Sequence, residues 1–186
     1  MLPAALAAVL IVSSCGGSDE ASTTDESSTV DSAVGSEVVG HYADGVYVSY
    51  AASVESATKM GDDIEAFLDD PTEDTLATAR KAWLTARPDY GVTEAFRFYG
   101  GPIDADDTGP EGRLNAWPMD ESYVDYVEGD PEAGIINDPD EYPTLDTDTL
   151  ASLNEAGGET NVSTGWHAIE FLLWGQDLSE DGPGER

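Results

Sequence analysis

Basic residues are scarce in this 186-residue chain: seven Lys and Arg stand against 39 Asp and Glu, for a formal net charge of −32. Proteins bind the nucleic-acid backbone largely through Lys and Arg, so this imbalance argues against nucleic-acid binding. It argues equally against electrostatic docking on an anionic membrane surface. The acidic residues are scattered, which favours a solvated acidic surface over a focused field that attracts cations, although both interpretations remain open.

Cysteine is nearly absent, because Cys15 is the only one in the chain, and an internal disulfide is therefore excluded. Cys15 follows an apolar run, Leu2–Val12, which is too short to span a bilayer as a helix and has the length of a signal-peptide core. The sequence Val-Ser-Ser-Cys at 12–15 resembles the bacterial lipobox, in which the cysteine becomes the lipidated first residue. We therefore expect a lipoprotein signal peptide at 1–15 and a membrane anchor at Cys15. The protein would then lie in the cell envelope, facing the periplasm or the exterior.

Long stretches that alternate polar and apolar residues with period two are also missing, so the sequence does not predict a sheet. Residues 16–36 contain no aromatic residue and consist mainly of Ser, Thr, Asp, Glu and Gly. Such a segment cannot bury enough apolar surface to offset the entropy lost on ordering, which predicts a flexible acidic tether. Helical periodicity starts near residue 37, and we expect one all-α domain over 37–186.

Steps of three and four between apolar residues predict a first helix at about 37–69. A second helix should begin with Asp70 as N-cap, Pro71 in the first position and Glu73 completing a capping box. Pro88 should kink or break this helix near Arg87. The further elements, in chain order, are a loop at 100–118, short helices at 120–128 and 148–155, and a final helix that starts after Ser163 or Thr164 and ends near Gly175.

The final helix contains the pair His167 and Glu170, in a chain with only two histidines. Residues three apart on a helix share a face, with Cβ atoms about 5–6 Å apart. The pair can therefore hold a metal ion or share a proton, but from these two residues alone a simple buried hydrogen bond is the favoured explanation. The spacing is not that of the His-Glu-x-x-His zinc helix. Because zinc and iron sites use at least three protein ligands, further ligands would have to come from elsewhere.

A polar and aromatic series with steps of three and four runs through the second helix: Trp83, Arg87, Tyr90, Glu94, Arg97. If Pro88 only bends the helix, Glu94 shares a face with this series and becomes a candidate third ligand. If Pro88 breaks it, the phasing fails. The residues expected to support the ligands or line the pocket are Gly165, Trp166, Arg97 and Trp83.

Five longer segments resemble the imelysin-like peptidase family, in order and spacing. They read TEAFRFYGGPID, LNAWPMDESYVDYV, GIIND, LNEAGGETNVSTG and GWHAIEFLLWGQD. The resemblance implies an all-α fold of two helical-bundle halves and a Gly-x-His-x-x-Glu signature at Gly165, His167 and Glu170. Members of the family are usually about twice as long as this chain. The expectation is therefore the N-terminal half of that fold, truncated at its C-terminal end.

The resemblance points both to an insulin-degrading peptidase and to iron-regulated envelope lipoproteins. The leading hypothesis is a lipid-anchored protein of iron uptake or homeostasis that binds a metal ion through His167, Glu170 and Glu94. Iron is favoured because hard carboxylate oxygens suit it and the chain offers no thiolate site for zinc. Iron-uptake permease components are candidate partners. The alternatives are a zinc metallopeptidase in which Glu170 is catalytic, and a non-catalytic interaction protein.

Overall fold

A computed structural model describes residues 32–105 and 108–175. Within these ranges all regular elements are helical and the only extended pairing is one isolated bridge between Val127 and Asp130, which confirms the all-α class. The signal segment 1–15 and residues 16–31 of the predicted tether lie outside the described residues. The helices are α1 Ser32–Asp69, α2 Glu73–Thr93, α3 Glu111–Asn115, α4 Glu121–Val124, α5 Thr147–Leu153 and α6 Gly165–Trp174.

Helix α1 begins at Ser32, about five residues earlier than the predicted start near residue 37. The predicted start of α2 was also wrong. Thr72, not Asp70, is the N-cap: its side chain accepts from the backbone N of Thr75 at 3.2 Å, and Thr75 Oγ1 accepts from the Thr72 N at 3.0 Å. This reciprocal pair is a capping box made of two threonines, two residues later than the predicted one.

Pro88 does not break α2, which continues to Thr93. A proline inside a helix removes one backbone hydrogen bond, and burial of Ala86 and Tyr90 on either side of it favours the continuous helix. The helix ends five residues later in a 3-10 turn, Glu94–Phe96, and the backbone then reverses at Phe98 with φ +71°. The helical spacing that would place Arg97 on the same face as Trp83 and Tyr90 therefore does not extend to Arg97.

Helices α1, α2 and α6 share the main hydrophobic core, with Trp83 of α2 at its centre. Its ring lies 6.2 Å from the Trp166 ring and 5.5 Å from the Trp174 ring, both edge-on, and its Nε1 donates to the Trp166 carbonyl at 3.1 Å. The apolar ring is thereby removed from water while its N–H keeps a hydrogen-bond acceptor. Trp83 thus fixes α6 against α2.

The segment between α2 and α6 differs from the prediction in detail. Helix α3 lies inside the predicted loop 100–118, and α4 is shorter than the predicted helix 120–128. Helix α5 begins one residue before the predicted helix 148–155 and ends two residues earlier. The bounds of α6, with Thr164 before its first residue and Gly175 after its last, confirm the prediction. None of the helices in the described residues has both the length and the apolar character needed to cross a membrane.

Candidate cation site

The start of α6 lies directly against the backbone of α3. Gly165 has φ +87°, and a Cβ placed on it would come within 2.7 Å of the Arg113 carbonyl oxygen and closer still to that of Leu114. Thr164 Oγ1 donates to the same Arg113 carbonyl at 2.9 Å. Only glycine combines this backbone conformation with this close approach. The glycine of the signature therefore positions the helix that follows it.

Asn154 holds α3 and the start of α6 together. Its Oδ1 accepts from the backbone N of Ser163 at 3.1 Å and from that of Thr164 at 3.3 Å, while its Nδ2 donates to the Gly112 carbonyl at 2.9 Å. These bonds satisfy backbone groups beside a helix start that has no side-chain cap of its own. No sequence pattern identifies Asn154, because its partners are far apart in the chain.

Helix α6 presents one buried face and one face that borders a cavity. Trp166, Ala168, Phe171 and Leu173 are buried, whereas Leu172 is 55% exposed. Trp166 and Leu173 pack into the core shared with α2. His167 and Glu170 are half-buried and line the cavity.

The two signature side chains are in contact. His167 Nδ1 lies 3.2 Å from Glu170 Oε2, and the side chains are 18% and 44% exposed. The Trp117 ring covers the imidazole, with ring centroids 4.7 Å apart and planes inclined by 51°. Trp117 is itself mostly exposed, so the ring that covers the imidazole lies at the protein surface.

The cavity beside this pair has a volume of about 400 Å³. Glu121 of α4 brings a second carboxylate to it, and among the described residues that line it there is no Lys or Arg. It therefore collects an imidazole and two carboxylates without a protein cation. Its lining residues are Trp117, Met119, Glu121, His167, Glu170, Phe171, Trp174 and Gly175.

The structure does not bring Glu94 to the pair. Both carboxylate oxygens of Glu94 accept from Arg97 Nη1 at 2.9 Å, and the same nitrogen lies 2.5 Å from Glu111 Oε1. Within 32–105 and 108–175, no three His, Cys, Asp or Glu side chains form a group ready to hold a metal ion. The predicted set of His167, Glu170 and Glu94 is therefore not assembled, since Glu94 bonds to Arg97 and does not line the cavity. Metal ligation by the first two stays a prediction.

Two comparisons with known proteins found similar sequences. Residues 46–186 match the model of the imelysin family, a segment that contains the cavity and the Gly-x-His-x-x-Glu sequence. The chain belongs to the imelysin family. This imelysin family member is also similar to "Iron-regulated protein A" of Synechococcus elongatus, with 35% identity over 75 residues. That match covers 40% of the chain and 20% of the cyanobacterial protein.

The other residues predicted for the pocket support it from outside. Trp83 lies in the core and contacts Trp174, a wall of the cavity. Trp166 and Gly165 line a different, almost entirely apolar cavity of about 370 Å³ between α1, α2 and α6. Arg97 is bound to the two carboxylates described above. In this imelysin family member, sequence patterns identified the helix that carries the pair but missed Trp117 and Glu121.

Proposed function

We propose that this chain binds a metal ion, with iron favoured, in the cavity beside α6 and that His167 and Glu170 are ligands. One observation carries the proposal: an imidazole and carboxylates converge on a cavity that has no cationic side chain among its described lining residues. Both carboxylates are accessible to an ion from solution, because Glu121 is exposed and the Glu170 side chain is 44% exposed. The long-range attraction of a chain with net charge −32 acts in the same direction.

The contact between the two side chains marks where one ion could bind both. His167 Nδ1 faces Glu170 Oε2, whereas Nε2 points away from Glu170. A shared ion would therefore take the place of this hydrogen bond, with an unprotonated Nδ1 and a Glu170 oxygen as its ligands. A site of one imidazole and carboxylate oxygens, without thiolate, suits iron. The name of the cyanobacterial relative, "Iron-regulated protein A", supports the same metal.

The direct test is calorimetric titration of ferrous ion under anaerobic conditions into the full chain. We expect His167→Ala and Glu170→Gln each to weaken binding at least about ten-fold, since each removes a ligand. Glu94→Gln is the matched control, because Glu94 is bound to Arg97 and lies outside the cavity. Equal affinities for wild type and both signature variants would refute the proposal.

The cellular role we propose is that of a lipid-anchored envelope protein of iron uptake or homeostasis, with iron-uptake permease components as partners. Its support is the apolar run that ends in the lipobox-like sequence at Cys15, together with the name of the relative. Cys15→Ser should abolish incorporation of a labelled fatty acid and release the protein from the membrane fraction. Unchanged labelling in that variant would rule out the anchor.

Zinc-dependent peptide hydrolysis is the second candidate, and the size of the cavity favours it. About 400 Å³ exceeds the needs of a bare ion and lies in the range of small-molecule sites. Hydrolysis also needs an open coordination position and a general base. This candidate predicts chelator-sensitive cleavage of an unfolded peptide that Glu170→Gln abolishes. Absence of turnover with zinc bound would exclude it.

A further inference from the structure

The apolar cavity between α1, α2 and α6 has a volume of about 370 Å³ and, among the described residues, shares no lining residue with the candidate cation site. Helix α1 contributes Val54, Ala57 and Met60 to its walls. Helix α6 contributes Trp166 and Ile169. None of the described residues that line it is Asp, Glu, Lys, Arg or His. A concave site of this size with mainly apolar walls is typical of small-molecule binding.

Two tyrosine hydroxyls on the wall of this cavity lack a hydrogen-bond partner. Tyr50 and Tyr90 both line it, and each hydroxyl is buried without a partner in the described part of the chain. Thr93 lies near the Tyr50 hydroxyl, so that of Tyr90, a residue only 4% exposed, is the more clearly unpaired. Buried hydroxyls in folded proteins almost always have a partner. The unpaired hydroxyls therefore indicate that a further molecule supplies one.

The state of the two hydroxyls restricts the chemistry of that molecule. Burial raises the pKa of both tyrosines, that of Tyr90 to about 12, so both hydroxyls keep their protons at neutral pH and can donate. The charge of Arg97 acts on both, which indicates that they lie towards the same end of the cavity. Arg97 is already bonded to Glu94 and Glu111. An anionic group would find no free counter-charge at this end, whereas a neutral acceptor needs none.

We propose that this cavity binds a small, uncharged and mainly apolar molecule whose carbonyl or hydroxyl oxygen accepts a hydrogen bond from Tyr90, with Tyr50 as a second donor. The apolar body of the ligand lies against Met60, Trp166 and Ile169. An apolar cavity of about 150 Å³ holds one benzene molecule, so about 370 Å³ has room for two fused rings with a short substituent. The inference does not depend on the proposed metal-binding function.

The first test is equilibrium dialysis of the full chain with three naphthalene probes of similar size. The probe 2-acetylnaphthalene carries the carbonyl, 2-ethylnaphthalene lacks it, and 2-naphthoate replaces it with a carboxylate. We expect the ketone to bind, the ethyl compound to bind about five-fold more weakly because it leaves the hydroxyls unpaired, and the carboxylate to bind at least about ten-fold more weakly. If wild type binds no probe at up to about 1 mM, because a second copy or another segment covers the cavity, the inference is overturned.

The second test uses variants to identify the hydrogen-bond donor. Tyr90→Phe should bind the ketone about five-fold more weakly while its affinity for the ethyl compound stays within about two-fold of wild type. An unchanged Tm without ligand shows that its fold is intact. Tyr47→Phe is the matched control, because Tyr47 is 75% exposed and does not line the cavity, and its affinities should equal those of wild type. Equal binding of the ketone by wild type and Tyr90→Phe would overturn the inference.

Discussion

Two pairs of glutamates in this molecule have opposite surroundings. Glu94 and Glu111 flank Arg97, whose side chain is only 12% exposed and bonds to both. Glu121 and Glu170 line a cavity with His167 and, among the described residues, no Lys or Arg. The first pair is compensated within the protein and holds the turn after α2 against α3. The second has no Lys or Arg partner among the described residues and is open to solvent, and a bound cation would supply the positive charge that Arg97 supplies to the first.

Helix α3 connects the two pairs. It contributes Glu111 to the cluster around Arg97, and the carbonyls of Arg113 and Leu114 press against Gly165 at the start of α6. The compensated pair therefore helps to fix the surface on which the helix with His167 begins. Disturbing the first pair should change stability, whereas disturbing the second should change cation binding.

The largest effect on stability is expected where α3 meets α6. Gly165→Ala adds a Cβ at φ +87° that collides with two backbone carbonyls, which cannot move aside as a flexible side chain could. Unfavourable backbone conformation and overpacking together should cost about 3 kcal/mol or more in the free energy of unfolding. Urea denaturation measures this loss.

The control for that variant is Gly91→Ala. Gly91 lies in α2, and a Cβ there would have no neighbour within 4 Å. Alanine in a helix should leave stability unchanged or raise it by up to about 1 kcal/mol. Equal losses at both glycines would mean that contact with α3 does not explain Gly165.

The next effect is expected at the compensated pair. Arg97→Met keeps much of the apolar bulk but leaves Glu94 and Glu111 without a counter-charge, and we expect a loss of about 2 kcal/mol. This is less than the roughly 3–5 kcal/mol of a fully buried pair, because the Glu94 side chain is 35% exposed. Adding Glu94→Gln should restore part of the stability in a denaturation experiment. A loss below about 0.5 kcal/mol would show that the cluster is not structural.

A smaller stability change is expected at the cavity. The Glu170 side chain is 44% exposed and its contact with His167 is local, so Glu170→Gln should alter the free energy of unfolding by less than about 1 kcal/mol. The same variant should lose most of its metal affinity. Thermal denaturation without metal checks the first statement, and a loss comparable to that of Arg97→Met would remove the distinction between the two pairs.

The smallest effect concerns Tyr90, which stands near the compensated pair. Burial, with smaller contributions from Glu94 and Glu111, raises the pKa of Tyr90 to about 12. This folded-state pKa lies above the unfolded-state pKa of about 10. The stabilising contribution of the protonated Tyr90 side chain is therefore complete below pH 10 and is lost as the pH rises towards 12. Tyr90→Phe should lose less stability than wild type between pH 9 and 11.5, measured from urea midpoints.

The same variant has an independent expectation at neutral pH. The Tyr90 hydroxyl is buried and, within the described part of the chain, has no hydrogen-bond partner. Removing an unpaired buried hydroxyl should leave stability at pH 7 unchanged or slightly higher. A clear destabilisation at pH 7 would mean that the hydroxyl has a favourable partner.

Helix α6 was predictable because its determinants are local. Thr164, Gly165 and Gly175 mark its ends, and the spacing of three placed His167 and Glu170 on one face. The all-α class followed equally from the lack of period-two alternation. Even so, the capping box of α2 was misplaced by two residues, because Thr72 and Thr75 provide the reciprocal bonds expected from Asp70 and Glu73.

The composition of the site was less predictable because it depends on contacts between distant segments. Helical phasing placed Glu94 on one face of the second helix and made it a candidate ligand. It cannot show that the chain leaves the helix at Thr93 or that Arg97 bonds to Glu111. Trp117 and Glu121 reach the cavity from the segment between α3 and α4 and from α4 itself. No periodic pattern links those segments to α6, so only the folded arrangement reveals them.

The most direct test of the central claim is anomalous diffraction at the iron edge from crystals of the protein grown with ferrous ion. We expect one strong peak in the cavity, about 2 Å from a His167 nitrogen and from a Glu170 oxygen. A peak beside Glu94 and Glu111, or peaks only on the acidic surface away from α6, would contradict the account.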